Sequence, residues 1–183
     1  MNIQTDRLII RPFKKDDYKR IYEVCSDFDV AKMTLSMPIP YYEENAKGFI
    51  DYTLQAIKEK TSYECAICYK ENPDRVIGCI GVMHIDSTAK RAELGWWVDK
   101  AEWNKGIATE AAKAVINYCF ESLKLHTVFA RCFEINPASG KVMQKCGMTY
   151  VGKMRDFECR LGEYKNVLYY DLVDKDYGYD NKE

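Results

Sequence analysis

WVDKAEWNKGIATEAA, residues 97–112, is the stretch from which the rest of the chain is read. An apolar strand over residues 94–98 ends, a short polar loop follows, and a helix begins near Gly106. From Ala108 the apolar positions are Ala108, Ala111, Ala112, Val115, Ile116, Cys119, Phe120 and Leu123. That is the i, i+3, i+4, i+7 series of one helical face. Gly106 lets the backbone take φ > 0 and approach a ligand closely, and Asn104 is the next most tolerant residue in the loop. A helix start leaves several N–H groups unpaired at the positive end of its dipole, which suits a phosphate or pyrophosphate. On these residues alone, an ordinary strand–loop–helix joint is the favoured reading. Neither common phosphate loop is present, since there is no Gly-x-x-x-x-Gly-Lys-Ser/Thr and no Gly-x-Gly-x-x-Gly.

The 183 residues suffice for one domain with a full core; residues 1–175 read as that domain and 176–183 as a polar tail. With 27 basic residues against 28 acidic ones, no electrostatic footprint for nucleic acid is visible. No apolar run approaches the roughly 18 residues of a membrane span. The opening MNIQTDRLII lacks the apolar centre of a signal peptide, so no membrane partner and a cytoplasmic location are expected. Eight cysteines lie mostly in apolar segments, where Cys behaves as a small hydrophobe. Cys65 and Cys68 form a single C-x-x-C inside a strand-like run, without the further ligands a zinc site needs. No metal is expected, and reduced core cysteines fit a cytosolic protein.

The remaining elements follow from period and punctuation. Residues 7–11 form a short strand, and Asp16 and Asp17 can cap a helix running to about Cys25. Pro38 and Pro40 break the chain into a loop. A second helix opens at Glu43 and Glu44, buries Ala46, Phe49, Ile50, Leu54 and Ile57, and ends in Lys58 to Lys60. Strands at 63–69, 76–85 and 92–98 form an antiparallel meander, with Asn72-Pro73-Asp74 as its first turn. A strand at 126–133, a helix from Pro137 to about Cys146 stopped by Gly147, and strands at 150–157 and 164–172 complete the chain. The last segment, DKDYGYDNKE, is polar and expected to fray.

The loop resembles the acyl-CoA pyrophosphate loop of the GNAT acetyltransferases, Gln/Arg-x-x-Gly-x-Gly/Ala, with Trp103, Gly106 and Ala108 at its defined positions. Trp103 departs from Gln/Arg and Asn104 from a frequent Gly. The form Trp-x-Lys-Gly-x-Ala-Thr-Glu-Ala is nonetheless similar to the RimJ/RimL-type branch, which acetylates ribosomal-protein N-termini. Asn136-Pro137-Ala138-Ser139 followed by Lys145-Cys146-Gly147-Met148 resembles a second motif of that branch, and the opening Thr5-Asp6-Arg7-Leu8 with Arg11 and Asp17 a third. The element order matches the family over essentially the whole chain. The resemblance implies an α/β (α+β) GNAT fold: a mixed, mostly antiparallel sheet of about seven strands, splayed at its centre and flanked by about four helices.

The same resemblance assigns chemistry. Acetyl-CoA is the implied co-substrate. Trp103, Asn104, Lys105, Gly106, Ile107, Ala108 and Thr109 would hold its pyrophosphate, and the backbone at Trp97-Val98 its pantetheine arm, with an N–H there facing the thioester oxygen. Asn136 would bond the arm, although from its own residues it reads as a turn before Pro137. Many family members place a Tyr general acid seven residues after that Asn; here the position is Met143, which cannot donate. Ser139 remains to stabilise the leaving thiolate or protonate it, against a purely local role in the first turn of its helix. Glu93 is the candidate base for the acceptor amine, weighed against an exposed strand residue. Glu158 and Asp156, near the last hairpin, are secondary base candidates or substrate-contact residues, Glu110 reads as structural, and His84 and His126 read as structural too. The reaction expected is acetyl transfer to a primary amine, a protein N-terminus or a small amine, by direct attack. The alternative is a non-catalytic acyl-CoA sensor or assembly module. The acceptor walls are expected from residues 33–42 and the last hairpin, and a homodimer is compatible with the sequence.

Overall fold

A computed structural model describes residues 1–178. In chain order the elements are β1 (Ile3–Gln4), β2 (Leu8–Arg11), a 3-10 turn (Lys15–Asp17), α1 (Tyr18–Cys25), α2 (Phe28–Ala31) and α3 (Glu43–Glu59). Then come β3 (Tyr63–Tyr69), β4 (Asn72–Asp86), β5 (Arg91–Val98), a 3-10 turn (Lys100–Glu102) and α4 (Ile107–Glu121). The chain continues through β6 (Thr127–Phe133), α5 (Pro137–Lys145), β7 (Thr149–Arg160) and β8 (Glu163–Val173). One sheet in the order β1-β2-β3-β4-β5-β6-β8-β7 joins all eight strands, and every neighbouring pair is antiparallel except β5 with β6. The fold is the expected mixed α/β sheet. The eight strands and five helices exceed the expected seven and four because β1 has two residues and α2 four, too few to show a period.

Alternation along the strands separates two cores. Ile67 of β3, Ile80 and Val82 of β4 and Leu94 of β5 face α4, which buries Ile107, Ala111, Ala112, Val115, Ile116, Cys119 and Phe120 as its apolar face requires. Ala66, Cys68 and Cys79 face the other way, onto Ile21 and Cys25 of α1 and Ala46 and Ile50 of α3. Burying each large aliphatic side chain is worth about 1.5–3 kcal/mol, so these two layers clamp the sheet between them. Six of the eight cysteines are buried in these cores, while Cys146 is half-buried and Cys159 exposed. No helix among the described residues is long and apolar enough to cross a membrane.

Three expectations change. The first meander turn is at Lys70 and Glu71, not at Asn72-Pro73-Asp74. Pro73 instead sits where the register jumps from Tyr69↔Asn72 to Cys68↔Val76, a bulge in which a missing N–H costs nothing, and its carbonyl accepts from Arg11 Nε (3.0 Å). Asp17 precedes α1 but its side chain does not cap it; the buried carboxylate accepts from Arg11 Nη1 (2.8 Å) and the Lys14 N–H (2.7 Å). The tail does not fray from Asp174. Tyr177 packs at a tilt against Phe120 of α4, ring centroids 4.7 Å apart, and Asp174 lies 3.1 Å from His126. The last five positions of the expected tail, 179–183, lie outside the described residues.

Candidate functional site

The sheet opens at its centre. β5 and β6 pair over three residues only, from Arg91↔Thr127 to Glu93↔Phe129, yet β5 runs on to Val98 and β6 to Phe133. The two strands therefore part beyond Glu93 and leave an edge of β5 without a strand partner. The Asp99 N–H donates to Ile77 O (2.9 Å). Together with the ladder Gly78↔Val98, Cys79↔Trp97, Ile80↔Trp96, this fixes which residues turn where. Trp97 directs its backbone to β4; Trp96 and Val98 direct theirs into the gap. This corrects the expectation that paired Trp97 with Val98 on the binding edge, because strand alternation forbids neighbours to face the same side. The Val98 carbonyl is taken by Trp103 Nε1 (2.8 Å), leaving the Val98 N–H and both backbone groups of Trp96 facing the gap. An extended ligand with amide groups can complete such an edge.

The loop after β5 continues the same surface. Asn104 has φ 64° and Gly106 φ 79°, with Lys105 between them in the ordinary region, and alternating φ of this kind turns successive N–H groups to one side. The first α4 bond within the helix runs from the Glu110 N–H to Gly106 O (3.0 Å), so the N–H groups of Ile107, Ala108 and Thr109 have no partner inside the helix. A Cβ on Gly106 would approach only Arg7 Nη2, at 3.5 Å. Lys105 pairs with Glu102 (2.9 Å) on an exposed surface, an interaction of about 0–1 kcal/mol that a phosphate can displace. Beneath the loop, Glu110 accepts from the Arg7 N–H (3.0 Å) and Arg7 Nε (2.7 Å), and Arg7 Nη1 donates to Lys105 O (3.1 Å). Glu110 is structural as read. Arg7 is a loop-anchoring residue whose role the sequence left unmarked, because its partners lie about a hundred positions away.

Across the gap, Asn136 caps α5: its Oδ1 accepts from the Ser139 N–H (3.2 Å) and its Nδ2 donates to Met33 O (3.3 Å). It thereby ties the loop after α2 to the far wall. Ser139 lines the cleft one turn above, and Met143, on the next turn, is buried.

Glu93 lies at the point where the strands part. It is 5 % exposed, which removes its reading as a solvent-facing strand residue. Both oxygens are held in the fork of Arg131, at 2.9 Å from Nε and 3.0 Å from Nη2. His84 Nε2 lies 3.7 Å from Glu93, and Glu158 Oε1 4.0 Å from Arg131 Nη1. The pair raises the affinity of the Arg131 guanidinium for its proton. A carboxylate in such a charge-assisted, bidentate pair must break it to take a proton, so the geometry argues against Glu93 as the base. Asp156 sits in a β7 bulge with φ 49° and gives its N–H to Asn166 Oδ1 (3.0 Å), away from the cleft lining. Arg131 is a functional residue the sequence left unmarked; its signal is one basic residue in the mostly apolar strand TVFARCF. Arg160 is another, and it ties the last hairpin to residues 31–37 by donating to the carbonyls of Ala31 and Met37. Loop, hairpin and gap enclose a cleft of about 1100 Å³.

Residues 7–149 match the family described as the acetyltransferase (GNAT) domain. The chain is 31% identical over 180 residues to YnaD of Bacillus subtilis, named as an uncharacterised N-acetyltransferase, across 97% of this chain and 99% of that protein. It is 30% identical over 173 residues to the ribosomal-protein-serine acetyltransferase of Escherichia coli, covering 93% and 95% of the two chains. The crystal structure of a GNAT-family acetyltransferase from Bacillus anthracis superposes with a TM-score of 0.85 at 28% identity, over 96% of this chain and 99% of that one.

Proposed function

The chain belongs to the GNAT acetyltransferase family, in its RimJ/RimL-type branch, and is an acetyl-CoA-dependent N-acetyltransferase; from that premise we propose that it acetylates a primary amine by direct attack within a ternary complex. The observation that carries the proposal is the unpartnered edge of β5 leading straight into the loop at Asn104–Thr109. The pyrophosphate is held by the N–H groups of Gly106, Ile107, Ala108 and Thr109, with charge from Lys105. The arm lies along Trp96 and Val98, flanked by Trp103 and Asn136. The Val98 N–H is the donor placed to stabilise the oxyanion as the amine adds to the thioester. Ser139 stabilises the departing thiolate by hydrogen bonding; a Ser hydroxyl is a poor acid, and Met143 offers no alternative. Among the described residues, Ser62 beside Glu64 is buried outside the cleft lining and Cys79 is held protonated by burial, so neither suits a covalent acetyl-enzyme, which is why attack is taken as direct.

The relation to the ribosomal-protein-serine acetyltransferase favours an N-terminal amine, and a short peptide with a free N-terminal serine is the first acceptor to try. Thiol release from acetyl-CoA should depend on that peptide, and initial-rate plots in the two substrates should intersect. Parallel plots would point to an acetyl-enzyme and overturn direct attack.

A further inference from the structure

Four carboxylates border the cleft: Glu64, Glu93, Glu102 and Glu158. Three of them face a cation. Arg131 forks Glu93 and lies 4.0 Å from Glu158, and Lys105 holds Glu102 at 2.9 Å. Glu64, among the described residues, has only the Ser62 hydroxyl, which donates to its Oε2 at 3.3 Å.

The backbone delivers Glu64 to the acceptor side. It stands opposite Gly81 on β4, which stands opposite Gly95 on β5, so all three share the sheet face covered by α1 and α3. A Cβ on Gly81 would lie 2.6 Å from Glu64 Cγ. Only glycine there lets the Glu64 side chain lie across β4 toward the gap. The side chain thus extends over β4, the strand next to β5, where the thioester is held on the reading above. α3 lines the same cleft and carries an exposed Gly48, where a Cβ would touch nothing within 4 Å.

Resting on the amine-acetyltransferase reading, the geometry points to Glu64 as the general base that takes the acceptor's proton, directly or through one water. The ammonium gives a proton to the carboxylate. The freed amine attacks the thioester carbon, the C–N bond forms and the C–S bond breaks. CoA leaves as thiolate and gains the second nitrogen proton, with Ser139 at the sulfur. The proton on Glu64 then passes to solvent. Burial pushes Glu64 above the usual carboxylate range, and the Ser62 hydroxyl offsets part of this, which makes it a better base near neutral pH. The other ionisable groups bordering this side are Tyr52 of α3, Cys79 and His84 of β4, Glu93 of β5 and Arg131 of β6. Cys79 is held protonated by burial, and Glu93 and Arg131 are committed to each other.

The test is thiol release by wild type, Glu64→Gln and Gly81→Ala from mildly acid to alkaline pH. Each is assayed with the N-terminal serine peptide and with water as the sole acceptor, and CoA affinity is measured alongside. Glu64→Gln should lose on the order of 100-fold in kcat with either acceptor, keep its CoA affinity, lose the acid limb of the pH profile, and recover partly with the peptide at alkaline pH. Gly81→Ala should lower kcat by displacing Glu64, and adding it to Glu64→Gln should cost nothing further. Wild-type rates and an intact acid limb in Glu64→Gln would overturn the base while leaving the acetyltransferase reading intact. A wild type that releases thiol to water through Glu64 but not to the peptide would support the base and reject that acceptor. A wild type that releases thiol to neither would overturn both.

Discussion

On the proposed reading, the two sides of the central gap recognise their ligands by different means. On the cofactor side that reading relies chiefly on main-chain groups, those of Trp96, Val98 and the run from Asn104 to Thr109, shaped by two residues at positive φ, with the Lys105, Asn136 and Ser139 side chains beside them. On the acceptor side it relies on side chains that line the cleft, Glu64, the Glu93–Arg131 pair, His84 and Glu158, with Gly81 leaving room for Glu64. Main-chain recognition is indifferent to most substitutions and fails only where a Cβ or a φ matters. Side-chain recognition can be altered one residue at a time. The cofactor half is thereby buffered against change and the acceptor half is open to it.

The largest effect that would sharpen this contrast is expected from Gly106→Val. A branched side chain resists φ 79° and fills the ground beneath the phosphates, so calorimetry should detect no CoA binding in a protein that still melts cooperatively. Retained binding would mean that the phosphates go elsewhere. Arg131→Met should next destabilise the fold by about 3 kcal/mol, because it strands the buried Glu93 carboxylate, while leaving CoA affinity unchanged; denaturant unfolding with and without CoA reads both. If CoA affinity falls with it, the two halves are not independent.

Ser139→Ala stands on the border between the halves. Its hydroxyl acts on sulfur as charge develops, so the loss belongs to kcat and not to acetyl-CoA affinity. A single bond to a developing anion is worth about 2–4 kcal/mol, and steady-state kinetics with the acceptor peptide should show a fall of that size. A wild-type kcat would return Ser139 to a local role in α5. The smallest effect is on stability. At acetyl-CoA about 100 times Kd, mass action adds about 2.7 kcal/mol, visible as a raised Tm that Gly106→Val should abolish.

The same contrast governs what the sequence discloses. Strand, loop and helix around the pyrophosphate site are consecutive, so period, Gly106 and Asn104 reveal them without any knowledge of packing. The acceptor side is assembled from β3, β4, β5, α3 and the last hairpin. Glu64 has meaning only once register sets it opposite Gly81, and a linear pattern does not carry register. Glu93 looked free because Arg131, its partner, lies 38 positions away on a parallel neighbour. Trp97 was assigned to the binding edge because strand parity was unknown until the Asp99–Ile77 bond fixed it. Pro73 looked like a turn because a bulge and a turn accept proline for the same reason, the dispensable N–H.

The claim on which the rest depends is that the cofactor is read by the backbone of β5 and the loop after it. Amide resonances followed during a CoA titration test this residue by residue. The N–H signals of Trp96, Val98, Gly106, Ile107, Ala108 and Thr109 should shift and become protected from exchange, while those of Gly48, Gly81 and Glu64 stay in place. A titration that moves Gly48, Gly81 and Glu64 and leaves Trp96, Val98 and the loop amides unmoved would contradict the account.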